Sequence, residues 1–99
     1  MAVVTIFRSR LRAEHEGYDE TVDEMEAAAR TMSGFVDFKT FRADDGERVS
    51  IVVFDSRDAH EAWRDDPRHR AAQQRGREEW YAEYRIQVCS LEYDYSFHR

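Results

Sequence analysis

The apolar residues of this chain change rhythm several times, and each change marks an element. Val3 to Phe7 is a β-rich run with apolar residues on both alternating faces, and it ends at the charged stretch Arg8 to Arg12. Tyr18, Val22, Met25, Ala28, Ala29 and Met32 then recur in steps of three and four with acidic residues between them, which predicts an amphipathic helix. The acids fall mostly in its first turns, where the helix dipole favours them. Ser33-Gly34 predicts its stop.

Two strand runs follow, Phe35 to Phe41 and Val49 to Phe54, split by a polar break whose Asp45-Gly46 pair signals a hairpin. Ser56 is placed to cap a short helix from Arg57 to Asp65 that turns Ala59, Ala62 and Trp63 inward. Pro67 suits the first turn of another helix, running to about Tyr81, with His69, Ala72, Gln73, Gly76 and Trp80 on one face. Arg85 to Phe97 predicts a long final strand, Ile86 and Val88 pointing one way and Cys89, Leu91, Tyr93 and Tyr95 the other.

The order β-α-β-β-α-α-β describes an α+β, ferredoxin-like sandwich, and 99 residues fit a single domain spanning 1–99. One pattern inside the strands goes further. Val49, Ile51 and Val53 share one face, Val52 and Phe54 the other, and Phe38 and Phe41 also point opposite ways. Helices cover only one face of such a sheet, so the second apolar face needs another cover. A second copy of the same sheet is the simplest, and the expectation is a homodimer with two sheets face to face. Tyr93, Tyr95 and Phe97 are then expected to reach across to the partner subunit.

Composition narrows the function classes. The net charge of −6 argues against a nucleic-acid surface. No apolar run approaches a membrane span, and the opening residues lead straight into a strand pattern instead of a signal peptide. Cys89 stands alone, so no intrachain disulfide is possible, and a reducing cytoplasm is the simplest address. The residues offer no zinc spacing, calcium loop, phosphate loop or dinucleotide fingerprint, and no metal site is expected. The charge is uneven: the first helix is acidic, the later helical region rich in arginine. Both read as solvated faces, or the arginines border a pocket for an anionic or phenolate molecule.

The densest candidate chemistry lies in Ala62-Trp63-Arg64-Asp65-Asp66-Pro67-Arg68-His69-Arg70-Ala71-Ala72-Gln73, followed by Gly76-Arg77-Glu78-Glu79-Trp80-Tyr81. Aromatic rings and an imidazole on one helical face can line a pocket for a flat organic molecule, or simply pack a core or dimer contact. His15 and His60 read as exposed, His98 as part of a frayed terminus, and Cys89 as a small hydrophobe.

These segments, with the order of elements, the Asp-Gly hairpin and the aromatic tail Tyr93-Asp94-Tyr95-Ser96-Phe97, resemble the antibiotic biosynthesis monooxygenase domain family over nearly the whole chain. The resemblance implies a dimeric α/β-barrel with one pocket per subunit between sheet and helices. In quinone-forming members oxygen reacts without metal, flavin or haem, because the deprotonated phenol or anthrone itself reduces it. Carried over by position, Trp63 and His69 become the catalytic candidates, His69 as the base. Phe41, Phe54, Trp80 and Arg8 become candidates for binding a small aromatic substrate.

The haem-degrading branch is similar but departs at its signature. It uses an asparagine on the first strand and a histidine about ten residues after the tryptophan. Here position 73 is Gln and the chain has no asparagine. The other reading kept open is a non-catalytic dimeric domain of the same fold, binding a small molecule or a partner.

Overall fold

A computed structural model describes residues 1–99. The elements are β1 (Val3–Leu11), α1 (Tyr18–Arg30), β2 (Phe35–Arg42), β3 (Arg48–Phe54), α2 (Arg57–Arg64), α3 (Pro67–Arg75), a π-helical turn (Gly76–Trp80) and β4 (Tyr81–Ser90). The strands form one antiparallel sheet in the order β2-β3-β1-β4, the ferredoxin-like arrangement with the helices on one face.

The β2–β3 hairpin closes where expected. The Gly46 N–H donates to the Ala43 carbonyl at 3.0 Å, and Gly46 sits at φ 93°, a conformation that glycine takes without a Cβ penalty. Ser56 caps α2 by accepting the Ala59 N–H at 3.1 Å.

The register separates the two faces. Val3, Val52, Phe54 and Phe38 turn toward the helices and are buried with Ala28, Ala29 and Trp63. Phe54 is 1% exposed and packs edge-on against Phe35 at 5.8 Å. Its burial stabilises the fold by roughly 1.5–3 kcal/mol. On the opposite face, Val4 pairs with Val53, Ile6 with Ile51, and Phe41 with Val49, so an apolar patch lies on the side away from the helices.

Three expectations are corrected. The final strand stops at Ser90, and residues 91–99 carry no regular structure; Tyr93, Tyr95 and Phe97 are among the most exposed large side chains. β4 runs antiparallel to β1 and Ser90 stands opposite Val3, the first residue of β1, so after the Leu91 N–H bond to the Ala2 carbonyl no strand is left for the tail to pair with. The single long helix to Tyr81 is α3 plus a π-helical turn. In α2 the inward stripe is Ala59, His60 and Trp63, with Ala62 exposed, because steps of three and four from Trp63 select that face.

Candidate active site

A cavity of about 340 Å³ lies between the sheet and the helices. Trp63 and His60 of α2, His69 and Gln73 of α3, and Trp80 of the π turn form its helical wall. Phe7, Tyr81, Tyr84, Ile86 and Val88 form the strand side, with Tyr18, Val22 and Met25 from α1. Tyr84, Ile86 and Val88 remain 39–47% exposed, so the cavity opens along the β4 edge.

His69 is fixed by the corner between α2 and α3. Only Asp65 and Asp66 separate the two helices. Asp66 caps α3, its Oδ1 accepting the Arg68 N–H at 2.9 Å, and Pro67 occupies the first turn. The tight corner folds His69 back over the end of α2, where its ring stacks on Trp63 with centroids 4.4 Å apart and planes 12° apart. There His69 Nδ1 lies 3.1 Å from the Trp63 carbonyl oxygen. A carbonyl oxygen only accepts, so Nδ1 carries the proton and Nε2 is left with its lone pair. Burial pushes the His69 pKa below its ordinary value, which favours this neutral form.

His60 is the residue that sequence reasoning missed. It is 7% exposed, not solvated as expected, and its Nδ1 lies 3.4 Å from Thr5 Oγ1. Burial lowers its pKa too, helped by the charges of Arg64 and Arg57. Its place three residues before Trp63 was the available signal.

The π turn brings Trp80 and Tyr81 into the wall although they are consecutive. Its wider turn sets Trp80 inward at 2% exposure, and the chain then enters β4 with Tyr81 extended. Trp80 Nε1 donates to the Glu16 carbonyl at 2.9 Å, and Arg75 lies 4.7 Å over its ring, which ties the turn to the loop before α1. Tyr18 meets Trp80 and Tyr81 edge-on at 5.6 and 5.9 Å. Burial raises the pKa of both tyrosines, so each phenol stays a neutral donor.

Of the six site candidates, the cavity gathers Trp63, His69 and Trp80. The other three lie elsewhere. Phe54 is enclosed in the core beside Phe35. Phe41 is 47% exposed on the opposite face of the sheet, opposite Val49. Arg8 is on that same face, with Nε and Nη2 donating to Glu47 at 3.0 and 2.9 Å. A strand sends alternate residues to opposite faces, and these positions have the wrong parity or depth for the cavity. No three His, Cys, Asp or Glu side chains converge to hold a metal ion. Cys89 is a free, exposed thiol on the face away from the cavity.

Comparison with known proteins agrees with this architecture. The sequence model of the antibiotic biosynthesis monooxygenase family matches residues 1–75. YqjZ of Bacillus subtilis, itself uncharacterised, is 33% identical over 87 residues, covering 88% of this chain and 76% of that protein. Among solved structures, Rv0793 from Mycobacterium tuberculosis superposes with a TM-score of 0.86 at 20% identity, covering 97% of this chain and 100% of that one. SnoaB, a cofactor-independent oxygenase from Streptomyces nogalater, superposes at 0.78 with 16% identity, covering 94% and 95%. The structural likenesses establish the fold, and the sequence matches establish kinship: the chain belongs to the antibiotic biosynthesis monooxygenase family.

Proposed function

We propose that this protein is a cofactor-independent monooxygenase that oxidises an electron-rich aromatic molecule of the phenol or anthrone type. The observation that carries the reading is the state of His69. Its Nδ1–H is committed to the Trp63 carbonyl, which leaves Nε2 as a proton acceptor in a cavity walled by aromatic rings. Family membership and the likeness to SnoaB support the oxygen chemistry.

In this reading the flat substrate lies against Trp63 and Trp80, and His69 Nε2 takes the proton whose loss makes the ring electron-rich. The carbanion gives one electron to dioxygen, and the resulting radical pair joins to form a C–O bond. The peroxide takes a proton, and its O–O bond breaks with loss of the remaining C–H proton. A CH2 group and O2 thus become C=O and H2O, all electrons coming from the substrate. Burial keeps Tyr18 and Tyr81 neutral on the cavity wall, and their hydroxyls, paired with each other in this structure, are the proposed donors toward developing negative charge. The apolar wall keeps bulk water from quenching the carbanion.

The working unit we propose is a homodimer, joined through the apolar face bearing Ile6, Val49 and Ile51. No helix is long and apolar enough to cross a membrane. With one unpaired cysteine, a reducing cytoplasm is the proposed setting.

The test is oxygen uptake over a panel of anthrones and hydroquinones, with His69→Ala alongside. Uptake above the spontaneous rate, one O2 per quinone formed and lost in folded His69→Ala, is expected. Uptake that His69→Ala leaves unchanged would remove His69 as the base. No uptake with any panel member would favour the non-catalytic binding domain.

A further inference from the structure

This inference rests on the aromatic-cavity reading above and narrows the substrate class. The chain has 21 Asp and Glu against 15 Lys and Arg. Even so, no carboxylate lines the cavity, while two histidines and two arginines, Arg64 and Arg77, do. A wall cleared of negative charge inside an acidic protein favours an anion locally.

The two arginines are not equivalent. Arg64 is clamped by Asp65, with Nε and Nη2 donating at 3.0 and 3.2 Å. Its charge is already matched. Arg77 belongs to none of the ion pairs or side-chain hydrogen bonds of the molecule, so its guanidinium is free to receive a partner. One turn earlier Gln73 is half-buried, lines the same cavity, and its amide also has no protein partner.

His69, Gln73 and Arg77 stand four residues apart and form one row along α3 and the π turn. At 1.5 Å per residue, Arg77 lies about 12 Å along the axis from His69. That span matches the long axis of a fused-ring molecule. The row therefore presents a proton acceptor at one end, an amide in the middle and an unmatched guanidinium at the other end.

We propose that the cavity takes aromatic molecules bearing a carboxylate, which Arg77 and Gln73 hold at the end of the row opposite His69. The planar fork of Arg77 matches a carboxylate bidentately, and the Gln73 amide adds a donor. The negative charge of the whole chain repels anions at long range, so a preference for the acid reports local contact and not general steering.

The experiment compares anthraquinone-2-carboxylate with anthraquinone-2-carboxamide by equilibrium dialysis against wild type, Arg77→Gln, Arg77→Lys and Arg42→Gln. Arg42 is exposed at the end of β2, outside the cavity, and its replacement removes the same charge. The carboxylate is expected to bind wild type and Arg42→Gln about tenfold more tightly than the carboxamide, the scale of one charge-assisted hydrogen bond. Arg77→Gln should erase that preference by weakening the carboxylate alone, and Arg77→Lys should keep part of it. Equal binding of both probes to wild type, or a preference that survives Arg77→Gln, would overturn anion selection and leave the aromatic cavity standing. If neither probe bound wild type, the aromatic cavity itself would fall, and this proposal with it.

Discussion

His69 owes its chemical state to a single carbonyl. At the last turn of α2 the Trp63 oxygen accepts the Asp66 N–H at 3.2 Å, and its second lone pair accepts the His69 Nδ1–H at 3.1 Å while the imidazole stacks on the Trp63 ring. His60 and His69 are both buried enough for their pKa values to fall below 6.5, the ordinary value. Between the lowered folded values and 6.5 the unfolded chain binds more protons than the folded one, so stability is present above that window and is lost as pH falls through it. Denaturant midpoints should therefore drop as the pH falls below about 6.5, the ordinary histidine value. The variant carrying His60→Gln and His69→Gln should show a shallower drop; an unchanged slope would mean that neither histidine is neutralised by burial. Helical spacing turned Trp63 inward and put His69 and Trp80 on one face, and the family resemblance made them site candidates. It did not lead to His60, because a histidine between Ala59 and Glu61 reads as polar surface until the packing of α2 is known. Phe41 and Arg8 were misplaced because residue type says nothing about which face of a strand meets the cavity; Phe54 is on the cavity face but lies too deep in the core.

Among the elements, the π turn does the most to shape the site. Gly76 is helical there, and a Cβ at that position would overlap the Tyr81 ring. In an ordinary exposed helix Gly→Ala stabilises by about 1 kcal/mol. Here the sign should reverse: Gly76→Ala is expected to lower the denaturant midpoint, since Tyr81 must leave its place against Phe7 and Tyr18. Adding Tyr81→Ala removes the obstacle, so in that background Gly76→Ala should be neutral or stabilising. A stabilising effect in wild type would contradict the packing. Helix and strand order, the hairpin and the Ser56 cap were legible, because each has a local chemical signature. The π turn and the end of β4 were not. The first depends on a contact between Gly76 and Tyr81, the second on where β1 stops offering a partner, and neither is encoded by local pattern.

For the molecule as a whole, the sheet has one face spent on the core and cavity and one left apolar. Covering the second with an identical sheet would hide Val4, Ile6, Val49 and Ile51 and leave the mouth of the cavity, along the β4 edge of the other face, uncovered. Sedimentation should therefore report a dimer of the 11.8 kDa chain. Ile51→Glu, which puts a charge in the middle of that face, should shift it to monomer with the helical signal retained; a wild-type monomer would contradict the dimer. Above that assembly stands the central claim, that the cavity passes one atom of dioxygen to an aromatic substrate bound beside His69. The most direct test is turnover of anthrone under ¹⁸O₂ followed by mass spectrometry of the quinone. One ¹⁸O is expected in the new carbonyl and the other in water, with no enzyme-dependent product from His69→Ala. A new carbonyl oxygen derived from solvent, or product formation no faster than without protein, would contradict it.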